Sequence, residues 1–288
     1  MRINKLSQFS FFSMLLVILV ILLWAASLRI SDYKEYHRLL AENTAANVSE
    51  SISQFMINRK RLMQILAKEN VDIIQQVLDE PEDETLSATL ESKIKSYFPN
   101  YFSYTISDVD GNPYYDDFEG YVGDLCVADI KSYSKDKNNS PRIHPNSFSY
   151  HYDLMADFKI GKQQYVIFIS FTADEIATYL RNSQALGHKT VLVYKENQNL
   201  LEVTADGARN KHFRQDYRLT SNELDYLLSE KPVVGSLWTV YDFYEDKLFS
   251  DYQEKIISSA LLIFLVFSFI SALFYSLVKK EELKRKKA

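Results

Sequence analysis

The stretch Ser107–Gly120, SDVDGNPYYDDFEG, decides how the first half of this chain folds. Asp108, Asp110, Asn112 and Glu119 stand at positions 1, 3, 5 and 12 of a window spaced like a calcium loop. An EF-hand loop needs glycine at its sixth position and a helix on each side. Here Gly111 falls at position 4 and Pro113 at position 6. The flanks alternate like strands, with Phe102, Tyr104 and Ile106 before the turn and two adjacent tyrosines after it. Asp-Gly is a favoured two-residue hairpin turn because glycine accepts positive φ. The stretch therefore reads as strand, turn and strand, and it sets the register of an antiparallel unit.

Working outward, two uncharged runs bracket this unit: Phe9–Leu28 (FSFFSMLLVILVILLWAASL) and Ile256–Val278 (IISSALLIFLVFSFISALFYSLV). At ~1.5 Å per helical residue, each can cross a hydrocarbon core of roughly 30 Å. Arg2 and Lys5 precede the first run, and six cations from Lys279 to Lys287 follow the second. The positive-inside rule then places both termini in the cytoplasm and residues 29–255 outside. Of 33 cations and 38 acids, the two ends hold eight and two, so 25 and 36 remain in the outer segment, a net of −11. So acidic a segment would repel nucleic acid. Ala25-Ala26-Ser27 resembles a signal-peptide cleavage site, but the apolar run is longer than such peptides carry, so an uncleaved anchor is expected. The expected location is the inner (plasma) membrane, with the main domain periplasmic or extracellular.

Residues 29–69 lack glycine and proline and read as one long helix. Ala41, Ala45, Val48, Ile52, Phe55, Leu62 and Leu66 recur at steps of four and three, with Arg59 in the one missing place. This is coiled-coil spacing; the seam packs on its own domain, on the same helix of a homodimer partner, or on both. The acidic segment DEPEDE ends the helical region, and residues 85–97 form a shorter amphipathic helix. Residues 147–160 alternate, which predicts one buried face, while QQYVIFISF is apolar on both faces. Thr172 and Glu175 have capping-box spacing ahead of a linker helix over 172–186. HKTVLVYKE, NLLEVTA and VVGSLWTVYDFYE read as strands of a lesser unit over 188–245, with TSNELDYLL as its helix. The fold class is α+β.

A long helix, then FSYTISDVDGNPYYDDFEGYVGD, a helical and loop insertion, a strand ending QYVIFISF and a linker helix together resemble the Cache fold. Cache modules are the extracytoplasmic, PAS-like sensor domains of bacterial chemoreceptors, histidine kinases and diguanylate cyclases. The resemblance covers about residues 29–255 and is double-Cache-like. It implies a five-stranded membrane-distal lobe over about 85–171 and a smaller membrane-proximal lobe. It also implies a ligand pocket between the sheet and the insertion that crosses it. By that analogy Tyr115, Asp117, Arg142, Tyr150, Tyr152 and Asp153 would line the pocket, with Asp116 beside them. Arg142 would hold a carboxylate through its planar fork, an aspartate would take an amine, and the tyrosines would supply ring walls. The chain departs from the Arg-x-Trp-Tyr cluster of amino-acid-binding members, since Ile143 and His144 follow Arg142 and Trp238 lies far downstream.

No enzyme is expected. The chain has seven glycines and no nucleophile elbow, Walker loop or dinucleotide turn. The five histidines show no metal-ligand spacing, and His144 and His151 are read as a chance pairing across a loop. Cys126 is the only cysteine, which is read as excluding both a disulfide and a cysteine-based zinc site. No cofactor and no metal are expected. After Val278 come ten residues, KKEELKRKKA, so a separate signalling protein would have to receive any signal. Anionic lipid headgroups suit that basic tail. The functional expectation is a sensor that binds a small molecule or a partner protein. The alternative is an envelope assembly protein laid out like a polysaccharide chain-length regulator.

Overall fold

The structure, a computed structural model, describes residues 2–115, 124–137, 140–146, 149–209 and 216–285. No glycine or proline occurs before Pro81, and helix α1 (Arg2–Glu69) runs unbroken for 68 residues. The chain divides into two compact units, one of residues 1–39 with 245–288 and one of residues 40–244.

In the first unit, the start of α1 pairs antiparallel with α7 (Lys247–Arg285). Phe11 meets Tyr275 with ring centroids 5.2 Å apart, and Tyr33 stacks on Tyr252 at 3.7 Å. Both helices carry stretches long and apolar enough, by length and composition, to cross a membrane.

The second unit begins with the rest of α1, then α2 (Val71–Asp79) and α3 (Glu84–Tyr97). Asp83 starts α3 by accepting the N–H groups of Thr85 (2.7 Å) and Leu86 (3.1 Å) on one carboxylate oxygen. Strands β1 (Tyr101–Asp108), β2 (Pro113–Tyr115), β3 (His151–Ile160) and β4 (Gln163–Thr172) form an antiparallel sheet in the order β2-β1-β4-β3. Between β2 and β3 lies α4 (Asp124–Asp136). Helix α5 (Asp174–Ser183) leads to a second sheet, ordered β7-β6-β5-β9-β8. Its strands are β5 (His188–Tyr194), β6 (Leu200–Thr204), β7 (Gly207–Ala208), β8 (Leu227–Pro232) and β9 (Thr239–Tyr244), with one helical turn, α6 (Ser221–Leu224), before β8.

The opening stretch is a hairpin, with a connection of four residues instead of two. Gly111 sits at φ +78°, and an added Cβ would meet the Val127 carbonyl oxygen at 3.1 Å, so both conformation and space demand glycine. The Asp108 carboxylate closes the loop, accepting from the N–H groups of Asp110 (2.9 Å) and Asn112 (2.8 Å) and from the Asn112 side chain (2.8 Å). Burial pushes this carboxyl up, but the Asn112 donors outweigh it and hold it below the usual carboxylate range.

Several expectations are corrected. Among the described residues the first sheet has four strands, and it is the second that has five. In the second sheet, the TSNELDYLL segment hid the edge strand β8. Thr220 and Glu223 form a full capping box, but the helix lasts a single turn and the chain then extends into the edge strand β8. Thr172 does not cap α5; Ala173 holds that position, and Glu175 turns away to pair with Arg59. The alternation in 147–160 predicted one buried face, yet His151 to Ala156 are buried without a break. Helix α4 covers the second face through Cys126, Ile130 and Tyr133, which pack on Met155, Val166 and Phe168. The seam of α1 serves its own domain: Ala45, Val48, Ile52, Met56, Met63 and Leu66 join one core with residues of both sheets. Phe55 and Leu62 fall to the side of this stripe, because the buried face follows the 3.6-residue period of a straight helix.

Candidate functional site

The two faces of the first sheet differ in kind. Toward α1, the even residues of β3 and the odd residues of β4 present Tyr152, Leu154, Ala156, Phe158, Ile167, Ile169 and Phe171 to the main core. Arg59 enters this face at the missing seam position. Its guanidinium lies 4.2 Å from the Phe171 ring centroid, 3.2 Å from the Tyr152 hydroxyl and in a salt bridge with Glu175.

Toward α4 the alternate residues are mixed: Met155, Val166 and Phe168 pack on the helix, and polar side chains stand around them. Strand β3 presents His151, Asp153 and Asp157, strand β4 presents Ser170, and β1 presents Ser103, Thr105 and Ser107. Ser103, Ser107, His151, Asp153 and Ser170 are all buried. The hydroxyls of Ser103 and Ser107 have no hydrogen-bond partner among the described residues. Such groups are costly to bury unless something meets them.

Beside this face, α4 and the loop 140–146 enclose two adjoining clefts. One of about 340 Å³ is lined by Asp129, Ser132, Ser140, Arg142 and Met155 among others. The other, of about 630 Å³, is lined by Lys60, Tyr133, Lys137, Met155 and Asp157 among others. Charges of both signs stand in pairs at the walls: Arg142 binds Asp129 at 2.6 Å, and Lys137 binds Asp157 at 3.1 Å. Burial pushes the Asp129 carboxyl up, but His144 and Arg142 outweigh it and hold it below its ordinary range. Asp157 is likewise lowered, with burial overcome by Lys137 and Tyr133.

The second sheet grips the loop that carries Arg142. The Ile143 N–H donates to Glu202 Oε2 at 2.5 Å, and Arg209 donates to the Ile143 carbonyl (3.4 Å) and to Glu202 Oε1 (3.2 Å). Trp238 Nε1 also donates to Glu202 Oε2, at 3.4 Å. Burial raises the Glu202 carboxyl despite the pull of Arg209.

Of the residues expected to line a pocket, Arg142 does line the smaller cleft. Asp153 lies on the same side of the sheet but is buried beneath α4, with Cys126, His144 and His151 around it. Tyr152 faces the opposite side, wholly enclosed between Phe171 and Trp238. Tyr150 is buried with the Arg209 guanidinium 5.4 Å from its ring centroid. Asp116, Asp117 and the side chain of Tyr115 lie outside the described residues. Sequence reasoning missed Asp129, Tyr133, Lys137 and the two serines of β1. The serines had a signal, since they alternate with Tyr104 and Ile106 in a strand whose other face is apolar.

It also dismissed the histidines. His144 and His151 form an antiparallel bridge, and their side chains converge with Cys126 and Asp153. A single cysteine rules out Cys-rich zinc sites, but it leaves mixed ligand sets open.

No protein-family model matches the chain, and no curated protein matches it. Solved structures do. The sensory domain of the Campylobacter jejuni chemoreceptor Tlp3 (CcmL) aligns over 77% of this chain and 98% of its own, with TM-score 0.50 and 11% identity. The fold is that of a Cache-like sensory domain. The ligand-binding domain of the Pseudomonas fluorescens chemoreceptor CtaA, solved with L-leucine, is 15% identical over 76% of this chain and 97% of its own (TM-score 0.44). That of the Pseudomonas aeruginosa amino acid chemoreceptor PctB, solved with L-Arg, is 15% identical over 75% and 97% (TM-score 0.42). Both clefts are lined by residues of α4, β3 and the chain following α4, the larger one also by Lys60 and Gln64 of α1.

Proposed function

We propose that this chain is a membrane-anchored extracytoplasmic sensor that binds a small polar molecule under α4, without acting on it chemically. The observation that carries the reading is the pair of clefts beside α4 and the loop 140–146, whose walls hold the ion pairs Arg142–Asp129 and Lys137–Asp157. Walls offering both signs suit a zwitterion or a short organic acid, with Arg142 and Lys137 as the cationic groups. A ligand carboxylate would draw Arg142 from Asp129, and the loop bearing Arg142 would shift with it.

The continuity of α1 supports relay along that helix, since one uninterrupted element serves both the apolar anchor and the sensory core. The fold also favours this reading over the envelope-assembly alternative, which rests on a layout of two spans, both ends inside and a helix-rich outer domain.

Thermal unfolding of the full chain in detergent, screened against amino acids, organic acids and amines, tests the proposal. A ligand at a hundred times its Kd stabilises by about 2.7 kcal/mol. One compound class should raise Tm, and Arg142→Ala should abolish that rise, while the unliganded Tm falls modestly because Asp129 loses its partner. No rise with any class would end the reading.

A further inference from the structure

We propose that Cys126, His144, His151 and Asp153 form a binding site for a divalent transition metal, zinc by ligand preference, in the buried space between α4 and β3. Each residue offers one ligand atom, and the four atoms lie within 4.8 Å of one another. A tetrahedral zinc site with bonds of about 2.0–2.3 Å has edges of roughly 3.3–3.8 Å. Four of the observed distances fall in or near that range, those to Asp153 being made by its two different oxygens. Cys126 Sγ lies 3.4 Å from His144 Nδ1 and 3.7 Å from His151 Nε2. Asp153 Oδ2 lies 3.3 Å from His144 Nδ1, and Asp153 Oδ1 lies 3.5 Å from His151 Nε2.

The surroundings orient these groups as ligands. His151 Nδ1 stands 3.0 Å from the Ser149 carbonyl, which can only accept, so the proton sits on Nδ1 and the Nε2 lone pair faces Cys126 and Asp153. His144 Nε2 stands 2.9 Å from the Asp129 carboxylate, which favours a proton on that nitrogen and turns the Nδ1 lone pair inward. Arg142 in turn fixes Asp129 through two donors, at 2.6 and 3.3 Å. Ser170 donates to Asp153 Oδ1 at 2.7 Å, while Asp153 Oδ2 accepts no hydrogen bond from the described residues. Two imidazole lone pairs, a carboxylate and a thiol thus converge on one buried point. A cation there satisfies all of them, and each histidine keeps an outer-shell partner of the kind metal sites carry.

Sulfur and nitrogen donors select against calcium and magnesium, and one thiolate with two imidazoles suits zinc. Four protein ligands would close the site, so its role would be to staple. Cys126 comes from α4, His144 from the loop and two ligands from β3, so the metal would tie the insertion and the loop to the sheet. Binding would expel the thiol proton. The proposal stands apart from the ligand reading.

The test uses the full chain, purified in detergent with a tag free of histidine. Elemental analysis should find about one zinc per chain. After removal by chelator, cobalt should give tetrahedral visible absorption with a thiolate charge-transfer band in the near ultraviolet. Cys126→Ser should lose that band, and Asp153→Asn should weaken zinc affinity at least tenfold. Chelation should lower the Tm of the wild-type protein. If folded wild-type protein takes up neither zinc nor cobalt on reloading and its Tm ignores chelator, the site does not exist. A cobalt spectrum in wild-type protein lacking the thiolate band would exclude Cys126 as a ligand and overturn the site as drawn, whether or not the variants fold. Neither outcome touches the small-molecule reading, which is judged by stabilisation from organic compounds alone.

Discussion

The two faces of the first sheet have the same strands and register but different contents. Toward α1 the side chains are aromatic and aliphatic, and a single guanidinium is admitted because two rings and a carboxylate receive it. Toward α4 the same strands set serines, a histidine and aspartates around an apolar patch of Met155, Val166 and Phe168, several of the polar groups buried. One face supplies burial energy for folding; the other forgoes part of that energy to keep polar groups available. Unsatisfied polar groups are tolerated where a second component is meant to meet them.

Mutations can break or sharpen this contrast. Phe171→Ala empties the apolar face beneath Arg59 and should cost about 3–5 kcal/mol, read as a fall in the urea midpoint at unchanged slope. Arg209→Met leaves Glu202 as a buried unpaired charge, for which a loss of about 3 kcal/mol is expected. The drop should shrink on acidification, because Glu202 in the variant can then fold protonated. Among the polar groups toward α4, Ser107→Ala removes an unpartnered hydroxyl, so stability should hold or rise by up to about 1 kcal/mol. If Ser107→Ala destabilised as strongly as Phe171→Ala, the two faces would not differ as argued.

The smallest effect concerns Lys60, which donates to the Gly235 carbonyl at 2.6 Å and whose ammonium is lowered by burial to about 8. Between that value and the ordinary 10.5, the unfolded chain holds a proton that the folded chain lacks, so this group's contribution to stability rises with pH there. Relative to Lys60→Met, the wild-type protein should therefore gain Tm as pH rises above 8. A difference flat across that window would contradict the burial assigned to Lys60.

Local chemistry was legible in the sequence wherever one short segment decided the outcome. The Asp108–Gly111 hairpin, the unbroken α1 and the stop near Pro81 all follow from backbone preferences within a few residues. Legibility failed where a distant segment competed. Glu175 could not be both the partner of Thr172 and the partner of Arg59, and nothing near it in sequence announced Arg59. The Thr220–Glu223 box is real, yet pairing with β9 draws the following residues into a strand. The metal-ligand set spans Cys126 to Asp153 and assembles only when α4 and the loop fold back on β3, so no fixed spacing could reveal it. A sign was present nonetheless: His151 and Asp153 are ionisable residues at alternate positions of a strand buried on both faces.

The grip of Glu202 on the Ile143 amide has a consequence for how the lobes communicate. Arg142 and His144 flank that amide, so anything that pulls on either neighbour tugs a carboxylate rooted in β6 of the other sheet. The loop works as a latch whose catch belongs to the far lobe. Slackening it would expose the Glu202–Arg209 ion pair to water.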